Sequence, residues 1–165
     1  MGNENPQNST SVAAPDPAPT PVHTEVPSET TPPAISERPL VLYAYSESET
    51  ARFNLQFFID HGLHAASDFV FILNGRTTAK SLIPDRPNIR YVQRRNDCYD
   101  LGAYAEVLTA DNLYKKYKKF VMLNASIRGP FLPYWSEGCW TDMYLSRITE
   151  EVKVSLLFLR CRMYG

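Results

Sequence analysis

The sequence has no run of apolar residues approaching the roughly 20 that a membrane-spanning helix needs. Its amino terminus also lacks a basic segment followed by an apolar one, so a signal peptide is not predicted. From these two absences we expect a soluble chain without a transmembrane segment, cytoplasmic by default.

Cysteine is scarce, and the basic residues form no stripe. Cys98, Cys139 and Cys161 are odd in number and far apart, without a Cys-x-x-Cys pair, so the sequence predicts neither a zinc site nor a full disulfide framework. The formal net charge is −1 with both signs interspersed. Domains that bind nucleic acid usually carry a basic patch or stripe, so we expect no nucleic-acid partner.

Aromatic residues are absent from positions 1–38, which hold eight of the thirteen prolines and many Ser, Thr, Asn and Ala residues. Such a segment cannot bury enough apolar surface to offset the entropy lost on ordering. Flexible linkers and the glycosylated stems of secretory-pathway enzymes share this composition. A stem would need a signal or membrane anchor, which the sequence lacks, so we favour a plain disordered tail. We predict a disordered tail over 1–38 and a folded domain over 39–165.

The folded part alternates apolar runs with helical patterns, which predicts an α/β class with an open, mostly parallel sheet flanked by helices. The apolar runs cover residues 40–45, 69–73, 89–92 and 120–123. Between the first two, apolar residues recur at helical spacing until Gly62, a residue typical of helix carboxyl ends. A fifth apolar run at 152–159 predicts a further strand, which would leave a sheet edge uncovered. We expect the chain to self-associate through this strand and to be only marginally stable.

Polar residues follow the third and fourth predicted strands. Asn96 begins a segment that opens a helix, in which Asp100 is either the amino-terminal cap or a first-turn carboxylate favoured by the helix dipole. Gly102 in this turn costs about 1 kcal/mol against alanine, which indicates close approach of another group to the backbone. Asn124 and Ser126 follow the fourth strand and are either turn residues or ligand contacts. Because open α/β sheets bind ligands at the carboxyl ends of their strands, we predict a crevice between these segments.

These two segments resemble a known family. The pattern Asn96-Asp97-x-x-Asp100-x-Gly102-Ala103-Tyr104, a helix, and an apolar strand ending Leu123-Asn124-x-Ser126-x-x-Gly129-Pro130 are similar to those of fungal glycosyltransferase-like proteins. More distantly they resemble the bacterial rhamnan synthesis F proteins. The likeness runs from about Leu40 to Val152 and implies the nucleotide-binding half of a GT-A-like transferase.

The resemblance also implies partners and site residues. The partners would be a nucleotide sugar as donor and a glycan or other acceptor. Tyr45 and Ser46 would lie near the base or the ribose, and Asn124 and Ser126 stand where many such enzymes hold a divalent metal on an Asp-x-Asp pair. The residues along the nucleotide and the donor sugar would be Asn96, Asp97, Asp100 and Gly102.

Two departures from the family pattern limit the expected chemistry. Divalent cations bound to a diphosphate prefer carboxylate ligands, and residues 124–126 contain none, so no metal site is predicted; Arg128 or Arg94-Arg95 is the alternative counter-charge. An acceptor-binding half and its carboxylate base have no room before Gly165. We therefore predict a truncated transferase domain that is inactive alone, with no catalytic residue assigned. The alternative is a non-catalytic interaction module that keeps the sheet.

Four aromatic side chains could stack on a base or a sugar: Tyr99, Tyr104, Trp135 and Trp140. Buried aromatic side chains mostly serve packing. We therefore predict core positions for Tyr104 and Trp140.

Overall fold

A computed structural model describes residues 35–132, 134–152 and 154 of the chain. They belong to the unit that spans Pro33–Gly165. The tail predicted over 1–38 falls outside the described residues except for 35–38, where Ser36 N donates to Lys116 O at 2.8 Å. The strand predicted at 152–159 and the self-association expected from it likewise fall almost wholly outside the described part.

The described residues form four strands and three α-helices, and two short 3-10 segments lie in the connections. The main elements are β1 (Leu40–Ser46), α1 (Glu49–Gly62), β2 (Asp68–Asn74), β3 (Ile89–Arg94), α2 (Asp100–Thr109), β4 (Phe120–Asn124) and α3 (Trp140–Leu145). The four strands predicted between residues 40 and 123 are thus confirmed. None of the helices in this part of the chain has the length and apolar character needed to span a membrane.

The sheet is entirely parallel, with the strand order β3-β2-β1-β4. Helix α1 packs on one face, against a cluster that includes Tyr43 and Phe71, and α2 packs on the other face, against Leu42 and Ile72. The predicted α/β class with flanking helices is therefore confirmed. The chain adds strands on one side of β1 and then crosses to the other side for β4, so the strand order reverses between β1 and β4.

Local sequence explains where α1 begins and which side it buries. Ser48 is its amino-terminal cap, and the Ser48 side chain accepts a hydrogen bond from the backbone N–H of Ala51 at 3.1 Å. Three turns later, Phe58 packs among the rings of four aromatic residues of the sheet and α3, with ring centroids 4.6–6.2 Å apart. One of these is Trp140, which is buried as predicted and donates from Nε1 to the carbonyl of Gly62 at 2.7 Å.

His64 joins the segment after α1 to α3. Its Nε2 lies 3.4 Å from Thr141 Oγ1, and its ring packs edge-on against Phe69 and Trp140. Burial lowers the pKa of His64, and the charge of Asp142 partly opposes this effect. Folding therefore favours the neutral form of this imidazole over its charged form, relative to the unfolded chain.

This lowered pKa predicts a pH-dependent stability. Between the lowered pKa and the ordinary value of 6.5, the unfolded chain binds more protons at this position than the folded one does, so stability is lost as the pH falls. We expect urea denaturation between pH 7 and pH 5 to show a smaller loss of stability in His64→Gln than in the wild type. His61→Gln, at an exposed position in the last turn of α1, is the matched control and should keep the wild-type loss; equal losses in both variants would contradict this account.

Candidate functional site

The carboxyl ends of β1 and β4 lie side by side where the strand order reverses. Ala44 is in register with Asn124, so the two strands end at nearly the same level. The chain leaving β1 enters α1 on one face of the sheet, whereas the chain entering β4 comes from α2 on the other face. Open α/β sheets bind ligands in the crevice formed at such a point. We call the group Ser46, Asn96, Asp100, Asn124 and Ser126 the switch-point edge.

A chain of hydrogen bonds joins α2 to the end of β4. Asn124 Nδ2 donates to Asp100 Oδ2 at 2.6 Å, and Ser126 Oγ donates to Asn124 Oδ1 at 2.6 Å. Asp100 lies in the first turn of α2, after the capping residue Tyr99, whose side chain makes no capping hydrogen bond. The structure thereby selects the first-turn alternative for Asp100 and brings it together with Asn124 and Ser126.

A second contact brings the segment after β3 over the end of β1. Asn96 Nδ2 donates to Ser46 Oγ at 3.2 Å, and both side chains are exposed. Gly75, just after β2, has a φ of +78°, and a Cβ placed there would lie 3.4 Å from Asn96 Cβ. Asn96 therefore reaches across the end of β2 to Ser46 at the end of β1.

Two of the residues predicted for the site are engaged with other groups of the protein. Asp97 forms ion pairs with Arg94 at 2.9 Å and Arg95 at 3.0 Å. Tyr45 is fully buried in the core on the α1 face, so its ring has no exposed surface to offer a base or a ribose in this structure. Burial, followed by the neighbouring Glu47, raises the pKa of Tyr45.

Sequence reasoning missed a polar network beside the end of β1. The Glu47 carboxylate accepts a hydrogen bond from Thr77 Oγ1 and pairs with Arg52 at 3.3 Å, while Arg52 donates to Thr78 Oγ1 at 2.8 Å. The hydrogen bond from Thr77 is the main cause that lowers the pKa of Glu47. The polar run that follows Tyr45 was the available signal, but nothing in the sequence indicates its partners after β2.

Gly102 accommodates a neighbouring side chain of the protein itself. A Cβ at this position would lie 2.8 Å from both Cβ and Sγ of Cys98, closer than real Cβ contacts allow. The expected close approach to the Gly102 backbone is therefore made by Cys98.

This contact predicts that the effect of Gly102→Ala on stability changes sign when Cys98 is replaced, which a double-mutant cycle can measure. Overpacking costs roughly 1–3 kcal/mol, so we expect Gly102→Ala to lower the free energy of unfolding in the wild-type background. In a Cys98→Gly background the clash is gone, and the better helix propensity of alanine should stabilise the protein by about 1 kcal/mol. Chemical denaturation of the four proteins tests this, and a stabilising Gly102→Ala in both backgrounds would show that Cys98 does not constrain the position.

The donor atoms at the switch-point edge do not suit a bare divalent cation. Asp100 supplies its one carboxylate, and the other four side chains are amides and hydroxyls. Proteins usually bind Mg²⁺ through one or two carboxylates together with substrate phosphates. Within the described part of the chain, no group of three or more His, Cys, Asp or Glu side chains is placed to hold a metal ion. The switch-point edge therefore consists of neutral hydrogen-bonding side chains around one carboxylate.

The three predicted counter-charges differ in their availability. The Arg94 side chain is 6% exposed and fully engaged with neighbours, whereas Arg95 is 91% exposed and has an ion pair with Asp97. Arg128 lies over the ring of Phe57, 4.6 Å from its centroid. Arg95 is thus a largely exposed guanidinium that directly precedes Asn96 of the switch-point edge in the sequence.

Two shallow depressions lie away from this edge. One, of about 500 Å³, includes Lys80, Asp85 and Tyr91 near the beginning of β3, and the other, of about 290 Å³, lies beside Phe53 of α1. Neither contains a residue of the switch-point edge. They provide alternative places where a ligand could be found.

Comparison with protein-family models, with curated proteins and with solved structures finds no match for this chain. The likeness to glycosyltransferases is therefore supported only by the two sequence segments. The candidate site is supported only by the geometry of its side chains.

Proposed function

We propose that the switch-point edge binds a nucleoside diphosphate sugar and that the chain is the donor-binding part of a GT-A-like glycosyltransferase. The observation that carries this proposal is the hydrogen-bonded chain Asp100–Asn124–Ser126 at the carboxyl ends of β1 and β4. It places polar side chains where a sheet of this strand order binds ligands.

The chemistry of these side chains suits a ligand rich in hydroxyl groups. The Asp100 carboxylate accepts from ribose or sugar hydroxyls, while the Ser46 and Ser126 hydroxyls both donate and accept. A diphosphate would be favoured by the first-turn N–H groups of α2, since Tyr99 supplies no side-chain cap. Arg95, exposed beside this turn, supplies a positive charge without a metal.

Calorimetric titration with UDP-, GDP- and TDP-sugars, each with and without Mn²⁺, tests the proposal. We expect one class of nucleotide sugar to bind with one site per chain. Asp85→Asn is a control in an exposed loop that lies before β3, at the opposite end of the strands, and should bind as the wild type does. A folded sample that binds none of these nucleotide sugars would contradict the proposal.

Exposed apolar residues favour a second function, that of a non-catalytic interaction module. Within the described residues β4 is an edge strand without a charged side chain, and Met122 on it is exposed. Phe131, Tyr134 and Trp135 follow it in the sequence and are exposed too. Apolar surface of this kind marks many interaction sites. Donor hydrolysis or sugar transfer by the protein, abolished by Asp100→Ala, would count against this second function.

A further inference from the structure

Arg94, at the end of β3, makes contacts with three other elements. Its Nη1 donates to Asn74 Oδ1 on β2 at 2.8 Å, and its Nε donates to Glu106 Oε2 on α2 at 2.8 Å. Its Nη2 donates to Asp97 Oδ1 at 2.9 Å and to Cys98 Sγ at 3.0 Å, both in the segment between β3 and α2. One guanidinium thus joins two strands, a helix and the connecting segment.

The burial of Arg94 makes these contacts energetically important. Its side chain is 6% exposed, and the hydrogen bond that it donates to Glu106 is the main cause that raises its pKa. A cation removed from water needs its hydrogen-bonding partners, because an uncompensated buried charge is strongly unfavourable. The partners of Arg94 are therefore held in place together with it.

Two of the residues held in this way border the switch-point edge. Asn96 precedes Asp97 directly, and Asp100 follows Cys98 by two positions. Cys98 is in addition fitted against Gly102 in the first turn of α2. Fixing Asp97 and Cys98 consequently fixes the stretch of backbone that carries Asn96 and Asp100.

We propose that Arg94 is a positioning residue, which sets the placement of Asn96 and Asp100 at the switch-point edge through Asp97, Cys98 and Glu106. Its effect on ligand affinity rests on the proposed function, whereas its effect on the segment 95–103 does not. Arg95 is the natural comparison, since it is adjacent, chemically identical and 91% exposed, with an ion pair to Asp97 at 3.0 Å.

The first experiment needs no ligand. Hydrogen exchange of residues 95–103, followed by mass spectrometry, is compared in the wild type, Arg94→Lys and Arg95→Lys. Lysine keeps the charge, but its single nitrogen lacks the planar fork that reaches several partners. We expect exchange to rise about tenfold in Arg94→Lys, the fold-change that corresponds to the removal of one charged hydrogen bond, and to stay unchanged in Arg95→Lys.

Wild-type exchange rates in Arg94→Lys would overturn the proposal. A rise of equal size over the whole sheet would overturn it too, since it would indicate general destabilisation. Glu106→Gln is a second variant for the case in which Arg94→Lys fails to fold. Glu106 is largely exposed, so its replacement should leave the fold intact while it weakens the contact between Arg94 and Glu106. We expect it to loosen the same segment, and no change there would also overturn the proposal.

The second experiment measures affinity for the nucleotide sugar bound by the wild type. We expect the dissociation constant to rise about tenfold in Arg94→Lys. In Arg86→Lys, at an exposed position in the loop before β3 and away from the switch-point edge, it should change less than about twofold. A loosened segment with unchanged affinity would contradict the positioning role. If the wild type binds no sugar, the proposed function fails, while the first experiment still decides whether Arg94 holds the segment.

Discussion

Phe58→Ala is expected to lower the free energy of unfolding by about 3–5 kcal/mol. The Phe58 side chain is 1% exposed and contacts rings from the two central strands and from α3, including Tyr43, Phe71 and Trp140. Removing it leaves a cavity between α1, the sheet and α3 that these rings cannot all move to fill. Small domains are stable by about 5–15 kcal/mol, so this loss is a large fraction of the total stability.

Phe53→Ala provides the matched control for this prediction. Phe53 lies on the same helix and is 64% exposed, and surface substitutions usually change stability by no more than about 0.5 kcal/mol. Urea denaturation of both variants measures the difference. Similar losses of stability in the two would mean that α1 does not pack on the sheet through Phe58.

Asp100→Ala is expected to weaken nucleotide-sugar binding at least about tenfold, because a hydrogen bond to a charged group contributes roughly 1.5–3 kcal/mol. The substitution removes the proposed acceptor for ligand hydroxyls and also leaves Asn124 Nδ2 without its partner at 2.6 Å. Asn124 is then free to turn, which disturbs the Ser126 contact as well. The effect should appear in the dissociation constant measured by calorimetry.

Asp100→Asn separates the charge from the hydrogen bond. The asparagine amide oxygen can still accept from Asn124 Nδ2, so the switch-point edge should keep its geometry, and we expect a smaller loss of affinity than in Asp100→Ala. Asp85→Asn should bind as the wild type does. An Asp100→Ala variant with wild-type affinity would remove Asp100 from the site.

The sheet could be predicted because each of its strands has a local signal in the sequence. Residues 40–45 and 69–73 are continuous apolar runs, and such runs suit strands buried on both faces of a parallel sheet. The connections between the runs are long enough for parallel crossovers. Their polar ends then indicated which sheet edge carries side chains for a ligand, and the structure brings Asn96, Asp100, Asn124 and Ser126 to that edge.

The details that escaped prediction all depend on partners from distant parts of the chain. Tyr45 lies one residue before the end of β1, close to where site residues are expected, but its ring is enclosed by the core on the α1 face. Arg94 gives no sign in the sequence that Asn74 and Glu106 will surround it. Gly102 indicated a close approach to its backbone, but only the fold identifies Cys98 as the approaching group.

The location of the ligand tests the central claim most directly. In an amide-resolved NMR titration with the nucleotide sugar, we predict the largest shift changes at Ser46, Asn96, Gly102, Asn124 and Ser126. Changes centred instead on Lys80 and Tyr91 beside the start of β3, or no saturable change with any of the nucleotide sugars, would contradict the assignment of a donor site to the switch-point edge.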